Sequence, residues 1–127
     1  MPKIETSELT GAALDWAVAK CEKLDPVWDE VREDFYLAAD HMHNLTHLRE
    51  YRPSTDWAQG GPIIDREWIQ LEPWPNESDE NFRWKATQFD LPQELEVYGP
   101  TPLIAAMRCY VASKLGDTVD VPGELTK

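Results

Sequence analysis

The chain has 127 residues and a formal net charge of −12, because 12 Lys and Arg oppose 24 Asp and Glu. The length is typical of one domain, and we predict a single domain over residues 1–127. Hydrophobic residues make up 42% and there are six Trp, which excludes a disordered acidic tail. No apolar stretch is long enough to cross a bilayer, and an acidic chain is repelled by phosphate, so neither a membrane nor a long nucleic acid is an expected partner.

The first half of the sequence predicts two helices. Thr6 or Thr10 is suited to cap a first helix, whose apolar positions continue to Cys21. Asp25 followed by Pro26 is typical of a second helix start, and apolar residues three and four apart continue beyond it. We therefore predict a helical segment within residues 25–50, ending before the next proline.

The middle of the sequence predicts a loop and then a β-hairpin. Residues 53–62 are rich in Gly and Pro, which indicates a polar loop, with Pro62 opening a short helical turn. Residues 69–72 and 82–89 alternate between apolar and polar side chains, so we predict that they pair as antiparallel strands.

The last helix has the clearest signals at both ends. Thr101 is a cap residue, Pro102 suits the first helical turn, and an apolar stripe continues until Gly116 ends it. Together these elements predict an α+β fold in which a small antiparallel sheet packs with two to three helices, in the manner of an α/β sandwich.

Three blocks of the sequence, residues 7–19, 54–67 and 99–116, carry a family resemblance. In these blocks the chain resembles the NinX-like proteins, small bacteriophage proteins encoded in the nin region of lambdoid phages. The resemblance implies a phage accessory protein acting in the cytoplasm of the bacterial host, with two helices packed against a small sheet. It implies no catalytic residues, and residues 25–50 depart from the family pattern.

The segment 54–67 is the leading candidate for a ligand pocket. Its glycines permit close backbone approach, its polar side chains supply donors and acceptors, and Trp57 offers a flat stacking face. Free amides near Gly61 would receive an anion if a helix began at Pro62. The alternative is that these residues cap a turn and seal the core, while the arginines pair with neighbouring carboxylates. The predicted ligand-binding residues are Ser54, Thr55, Asp56, Trp57, Gln59, Gly60, Gly61, Arg66, Thr101 and Arg108.

Metal binding and catalysis have weaker support. Asp40, His43 and His47 would share one face of a helix, which is metal-ligand spacing, but solvent-exposed polar residues are the more usual explanation. Cys21 and Cys109 fall in helical patterns and are read as reduced, packed side chains. Carboxylates in 54–67 have no accompanying nucleophile, so we expect no enzyme, no metal and no cofactor.

The sequence leaves several functions open. The preferred interpretation is a non-enzymatic protein that binds and sequesters a small polar, nucleotide-like ligand, by analogy a second messenger of host immunity, as a counter-defence. The alternative is an interaction module whose acidic surfaces, 25–34 and 72–80, inhibit or recruit a basic host protein. A weak hydrolase is the third, and homo-oligomerisation through exposed Trp also stays open.

Overall fold

The computed structural model describes residues 1–37, 46–74, 78–89 and 94–126. Its helices and strands alternate along the chain, which is the mixed α+β class that the sequence predicts. The helices are α1 (Gly11–Cys21), α2 (Trp57–Glu67) and α3 (Pro102–Leu115). The strands are β1 (Lys3–Glu5), β2 (Pro26–Asp29), β3 (Asp34–Leu37), β4 (Thr46–His47), β5 (Ile69–Pro73), β6 (Trp84–Gln88), β7 (Leu95–Gly99) and β8 (Thr118–Asp120).

Helix α3 lies in the middle of the molecule. It packs on the antiparallel sheet β5-β6-β7 and also contacts α1 and α2. Because α3 is covered on several sides, every residue from Leu103 to Val111 is buried, including the charged Arg108. The start of α3 agrees with the predicted cap, since Thr101 Oγ1 accepts a hydrogen bond from Ile104 N at 3.1 Å. Gly116 then takes a positive φ of 90° where the helix ends.

Two smaller sheets complete the described structure. Strands β1 and β8 pair antiparallel, with Ile4 opposite Val119, and this joins the two ends of the chain. Strands β2, β3 and β4 form a second antiparallel sheet in that order. Its β3 residues Phe35 and Leu37 are buried in the core, so this sheet is packed onto the rest of the fold.

The prediction of a helical segment within residues 25–50 is wrong for the part of it that forms strands, residues 26–37. Residues 26–37 form the β2–β3 hairpin, with Trp28 opposite Phe35. Asp29 Oδ1 accepts hydrogen bonds from Val31 N and Arg32 N and so closes the turn locally. Glu33 has a φ of 53°, which interrupts a right-handed helix. The three-and-four spacing of apolar residues was therefore compatible with a helix but did not require one.

The predicted cap of that helix is wrong for a related reason. Asp25 has a φ of 51°, in the left-handed region, whereas an N-cap residue is extended. Pro26 then begins a strand, where its fixed φ and missing donor are tolerated at the first position.

The prediction of a loop over 53–62 holds for residues 53–56 and is wrong from Trp57, where α2 begins. Asp56 caps it, with Oδ1 accepting a hydrogen bond from Ala58 N at 3.0 Å. Pro62 lies inside the helix and leaves Ala58 O without an amide partner, but both residues are exposed, so water can solvate that carbonyl. The suggested anion site at Gly61 loses its basis, because Gly61 is an interior helical residue.

The predicted hairpin of residues 69–72 and 82–89 is confirmed, and the sheet gains a third strand. Strands β5 and β6 pair antiparallel with Leu71 opposite Ala86, and Val97 of β7 lies opposite Ala86 on the other side. A Cβ on Gly99 would lie 2.6 Å from Ala105 N. Glycine at this position therefore lets β7 approach α3 closely.

Candidate functional site

Arg108 does not face segment 54–67, although the sequence placed both in one pocket. Its guanidinium is buried at 3% exposure. Nε donates to Leu9 O at 2.7 Å, and Nη1 donates to Tyr98 O at 3.0 Å and to Asn81 Oδ1 at 2.9 Å. Burial lowers the pKa of Arg108 below its ordinary value. This arginine is therefore engaged with the chain itself.

Arg66 belongs to a different cluster, at the ends of α1 and α2. Its guanidinium makes two hydrogen bonds to the carboxylate of Glu22, at 3.1 and 2.6 Å, and one to Glu67 at 3.0 Å. Tyr110 donates to the same Glu22 carboxylate at 2.5 Å. Burial opposes ionisation of Glu22, but the hydrogen bonds from Arg66 and Tyr110 outweigh it and lower the pKa of Glu22. Arg66 is thus paired with acidic side chains.

The segment before α2 is anchored to α1 through a buried carboxylate. Asp15, 5% exposed, accepts a hydrogen bond from Ser54 N at 3.0 Å. Burial raises the pKa of Asp15, and the hydrogen bonding to Ser54 opposes that rise. Gln59 also binds the backbone of this segment, since its Oε1 accepts a hydrogen bond from Arg52 N at 2.9 Å. These polar residues fix the path of the chain into α2.

Four predicted ligand residues do come together, although one of them, Ser54, is buried at 1% exposure. Ser54, Thr55, Trp57 and Thr101 line a groove of about 220 Å³ between the start of α2 and the start of α3. Trp57 is 55% exposed, so its ring is available rather than sealed in the core. Among the residues that the structure describes, no charged side chain lines this groove.

Gly60 is closely packed against Leu103 and Pro53. A Cβ there would lie 2.7 Å from Leu103 Cδ2 and closer still to Pro53 O, whereas a Cβ on Gly61 would meet nothing within 4 Å. Glycine at position 60 therefore allows α2 to approach α3 and the preceding turn.

Of the predicted metal ligands, His47 is the one that the structure describes. Its Nδ1 accepts a hydrogen bond from Arg49 N at 3.0 Å, and its Nε2 lies 2.6 Å from Asp34 Oδ2. Both ring nitrogens thus have protein partners. Asp40 and His43 lie outside the described residues. Among the described residues, no group of three His, Cys, Asp or Glu is arranged to hold a metal ion.

The cysteines lie in helices, as predicted. Cys109 is buried in α3 and Cys21 is half-buried at the end of α1. Burial raises the pKa of each thiol to about 12, so both are protonated at neutral pH. Neither has the lowered pKa that a nucleophilic thiol needs.

A larger groove runs beside β7, at a place that the sequence analysis did not single out. It has a volume of about 650 Å³ and lies between β7 on one side and the 3₁₀ turn Thr6–Glu8 and the start of β8 on the other. Its wall includes the rings of Phe82 and Tyr98, whose centroids are 5.4 Å apart. Its carboxylates are those of Glu5, Glu8, Asp79, Glu96 and Asp117.

We call this cavity, with its five carboxylates, the acidic groove. Among the described residues no Lys or Arg side chain lines it, although Lys85 pairs with Glu96 from the side. The other four carboxylates have no ion pair within the described residues, so the groove attracts cations and repels anions. The residues come from four separate stretches of the chain, and no local motif joins them. Only Asp79 fell within an acidic segment, 72–80, that the sequence analysis had noted.

Lys85 lies on the same sheet as β7, and its charge is already neutralised. Its Nζ lies 3.3 Å from Glu96 Oε1 and 3.5 Å from Glu72 Oε1. Arg83 likewise lies 3.7 Å from Glu80. Arg66, Arg83 and Lys85 are therefore paired with carboxylates, and Arg108 is buried.

These features define a small α+β protein with an acidic groove. The family model for bacteriophage P22 NinX matches residues 5–114 of the chain. The chain therefore belongs to the NinX family of phage proteins, as its three sequence blocks indicate. No curated protein matches it. Within the described residues, no helix is long and apolar enough to span a membrane.

Proposed function

We propose that this NinX-family protein is a non-enzymatic interaction module that binds a basic partner protein of the bacterial host through the acidic groove. The observation that carries the proposal is the convergence on one cavity of two aromatic rings and five carboxylates, of which Glu96 is the one that is ion-paired among the described residues. Lys and Arg side chains bind to carboxylates and also to the faces of aromatic rings. The expected site of action is the cytoplasm of the host.

Electrostatics also favour this partner over an anionic one. The whole chain carries a charge of −12, which accelerates encounter with a positively charged surface. A nucleotide phosphate would meet carboxylates in the acidic groove. Its natural counter-charges, Arg66 and Arg108, are engaged elsewhere.

The test uses a fluorescently labelled seven-residue peptide in which Lys alternates with Thr. We expect binding that weakens as salt rises from about 50 to 500 mM, because exposed charges are screened. The double variant Glu5→Lys with Asp117→Lys should bind about tenfold more weakly, since it removes attraction and adds repulsion inside the groove.

A matched control separates the groove from overall charge. Glu30→Lys with Asp65→Lys changes the net charge equally, at exposed positions outside the groove. This control should retain binding. If both double variants lose binding equally, or if the peptide does not bind the natural protein, the acidic groove is not the functional site.

A second candidate function is sequestration of a nucleotide-like ligand at the 220 Å³ groove. It is favoured by one observation, the exposed Trp57 ring beside Ser54, Thr55 and Thr101. The test is the melting temperature of the protein with a panel of linear and cyclic nucleotides, followed by recovery of the ligand after heating. Stabilisation that Trp57→Ala abolishes, with intact ligand recovered, supports sequestration. Altered ligand indicates a hydrolase, and no shift removes this candidate.

A further inference from the structure

The strand β7 is an outer strand of its sheet, since β6 is its one partner among the described strands. The direction of its backbone groups follows from the neighbouring ladder. Trp74 N donates to Arg83 O at 2.7 Å, in the register of β5 and β6. Because hydrogen-bonded and non-hydrogen-bonded pairs alternate, Lys85 and Thr87 also direct their backbone groups toward β5. The intervening residues of β6 direct theirs toward β7.

The residues of β7 that pair with those intervening residues are Leu95, Val97 and Gly99. The backbone groups of Glu96 and Tyr98 therefore face away from the sheet, and both residues line the acidic groove. Arg108 Nη1 reaches Tyr98 O at 3.0 Å, which agrees with this direction. Within the described parts of the chain, the N–H and C=O of Glu96 and the N–H of Tyr98 have no hydrogen-bond partner.

We propose that this edge of β7 binds an extended Lys- or Arg-rich segment of the partner as a fourth strand of the sheet. The inference rests on the proposed function and specifies how the partner lies in the acidic groove. A strand beside β7 pairs its backbone with the N–H and C=O of Glu96 and with the N–H of Tyr98, at the ordinary spacing of about 4.8 Å, whereas Tyr98 O keeps its hydrogen bond from Arg108. Such strand addition is a common mode of peptide recognition.

Charge selects the occupant of the edge. Glu96 lies on the edge itself but pairs with Lys85, so the charge comes from Glu5, Glu8 and Asp117, on the segments that form the other wall. An added strand directs alternate side chains to opposite faces, so a basic segment brings several cations to these carboxylates. An acidic segment would be repelled.

The two edges of the sheet differ in a way that agrees with this assignment. The β5 edge ends at Pro73, which has no backbone donor, whereas β7 contains no proline. The charge of Glu96 also has a protective explanation, because charged residues on edge strands prevent aggregation. The experiment distinguishes protection from recognition.

The decisive experiment compares two N-methylated forms of the Lys-Thr peptide. One form carries methyl groups on its odd residues and the other on its even residues, so only one form blocks the amides that would face β7. We expect one form to bind about tenfold more weakly than the parent peptide and the other to bind like the parent. An equal effect of the two patterns, whether absent or large, overturns strand addition.

The outcomes separate the two proposals. If the parent peptide binds through the groove and both methylated forms bind equally well, the side chains alone recognise the partner and the proposed function stands. If the parent peptide does not bind at all, the proposed function itself fails.

A pair of protein variants tests the same backbone hydrogen bonds by changing β7 instead of the peptide. Glu96→Pro and Glu96→Gln both lose the carboxylate, but only Pro lacks the N–H. Because this N–H faces away from β6, proline removes no bond within the sheet. Glu96→Pro should bind the peptide about tenfold more weakly than Glu96→Gln. Equal binding by two folded variants would count against the edge.

Amide hydrogen exchange covers the case in which Glu96→Pro does not fold. In the natural protein, the parent peptide should slow exchange of the Glu96 and Tyr98 amides by at least about tenfold. The amide of Gln70, on the β5 strand, serves as the control and should not change. Binding without protection of Glu96 and Tyr98 would exclude a fourth strand.

Discussion

Arg108 Nε donates a hydrogen bond to Leu9 O at 2.7 Å, between residues 99 positions apart in the chain. The same guanidinium reaches Tyr98 O and Asn81 Oδ1 through Nη1. It thus joins α3 to the segment before α1, to β7 and to the 3₁₀ turn that precedes β6. The wall of the acidic groove is built from these same segments, so Arg108 positions the groove without lining it.

Replacing Arg108 by Ala should destabilise the protein by about 3 kcal/mol, because three acceptors lose a charged donor in a buried place. Urea unfolding followed by Trp fluorescence measures the change. Arg83→Ala, which removes an exposed arginine with one long ion pair, should change the free energy of unfolding by less than about 0.5 kcal/mol. A neutral result for Arg108→Ala would contradict its structural role.

The Glu22 cluster predicts a loss of stability in acid. In the folded state the pKa of Glu22 lies below the ordinary value of 4.5, so the folded protein favours the ionised carboxylate. The resulting stability is present above pH 4.5 and is lost as the pH falls through the lowered pKa. Glu22→Gln should cost about 1 kcal/mol at pH 7, because the site is partly exposed, and this difference should shrink in acid. Unfolding free energies measured from pH 3 to 7 check both statements.

Gly60 and Gly61 are neighbours with opposite expected responses to alanine. Gly60→Ala forces a Cβ against Leu103 and Pro53, so we expect a loss of about 1–3 kcal/mol. Gly61→Ala meets open space in a helix, so we expect a gain of about 0.5–1 kcal/mol. Thermal unfolding of the two variants is the measurement. Equal effects would show that α2 does not approach α3 as closely as the structure indicates.

Asp15 separates the effect of a charge from that of an acceptor. Asp15→Asn retains an oxygen for Ser54 N but removes a buried charge, so its melting temperature at pH 7 should equal or exceed that of the natural protein. Asp15→Ala leaves the buried amide unpaired and should cost about 1–3 kcal/mol. Because the pKa of Asp15 is raised from 3.8, the folded state favours the protonated form, and this contribution to stability is lost as the pH rises through the raised pKa. The advantage of Asp15→Asn should therefore grow from pH 3 to 7.

The sequence predicted well wherever a local rule acted on its own. Thr101, Pro102 and Gly116 define α3 because capping and helix termination depend on residues within one turn. Alternation in 69–72 and 82–89 gave the β5–β6 pairing because a half-buried sheet requires a period of two.

Two predictions failed where the local sequence pattern was compatible with more than one structure. The apolar spacing after Asp25 suits a helix, but Asp29 closes a turn and Glu33 takes a left-handed conformation, so a hairpin forms. The glycines before Pro62 suggested a loop, but Gly60 instead provides the space for packing α2 against Leu103. A local turn signal decided the first case, and packing between segments distant in the chain decided the second.

By itself, the sequence determined the α+β class, the family, the α3 helix and the large negative charge, because these follow from composition and from residues close together in the chain. Only the tertiary structure decided where that charge has an effect. It buried Arg108, paired Arg66 with Glu22, and brought Glu5, Glu96 and Asp117 to one groove beside an unpaired strand edge. The physical reason is that an electrostatic field depends on distances in space, and residues from separate segments approach one another only when the chain folds.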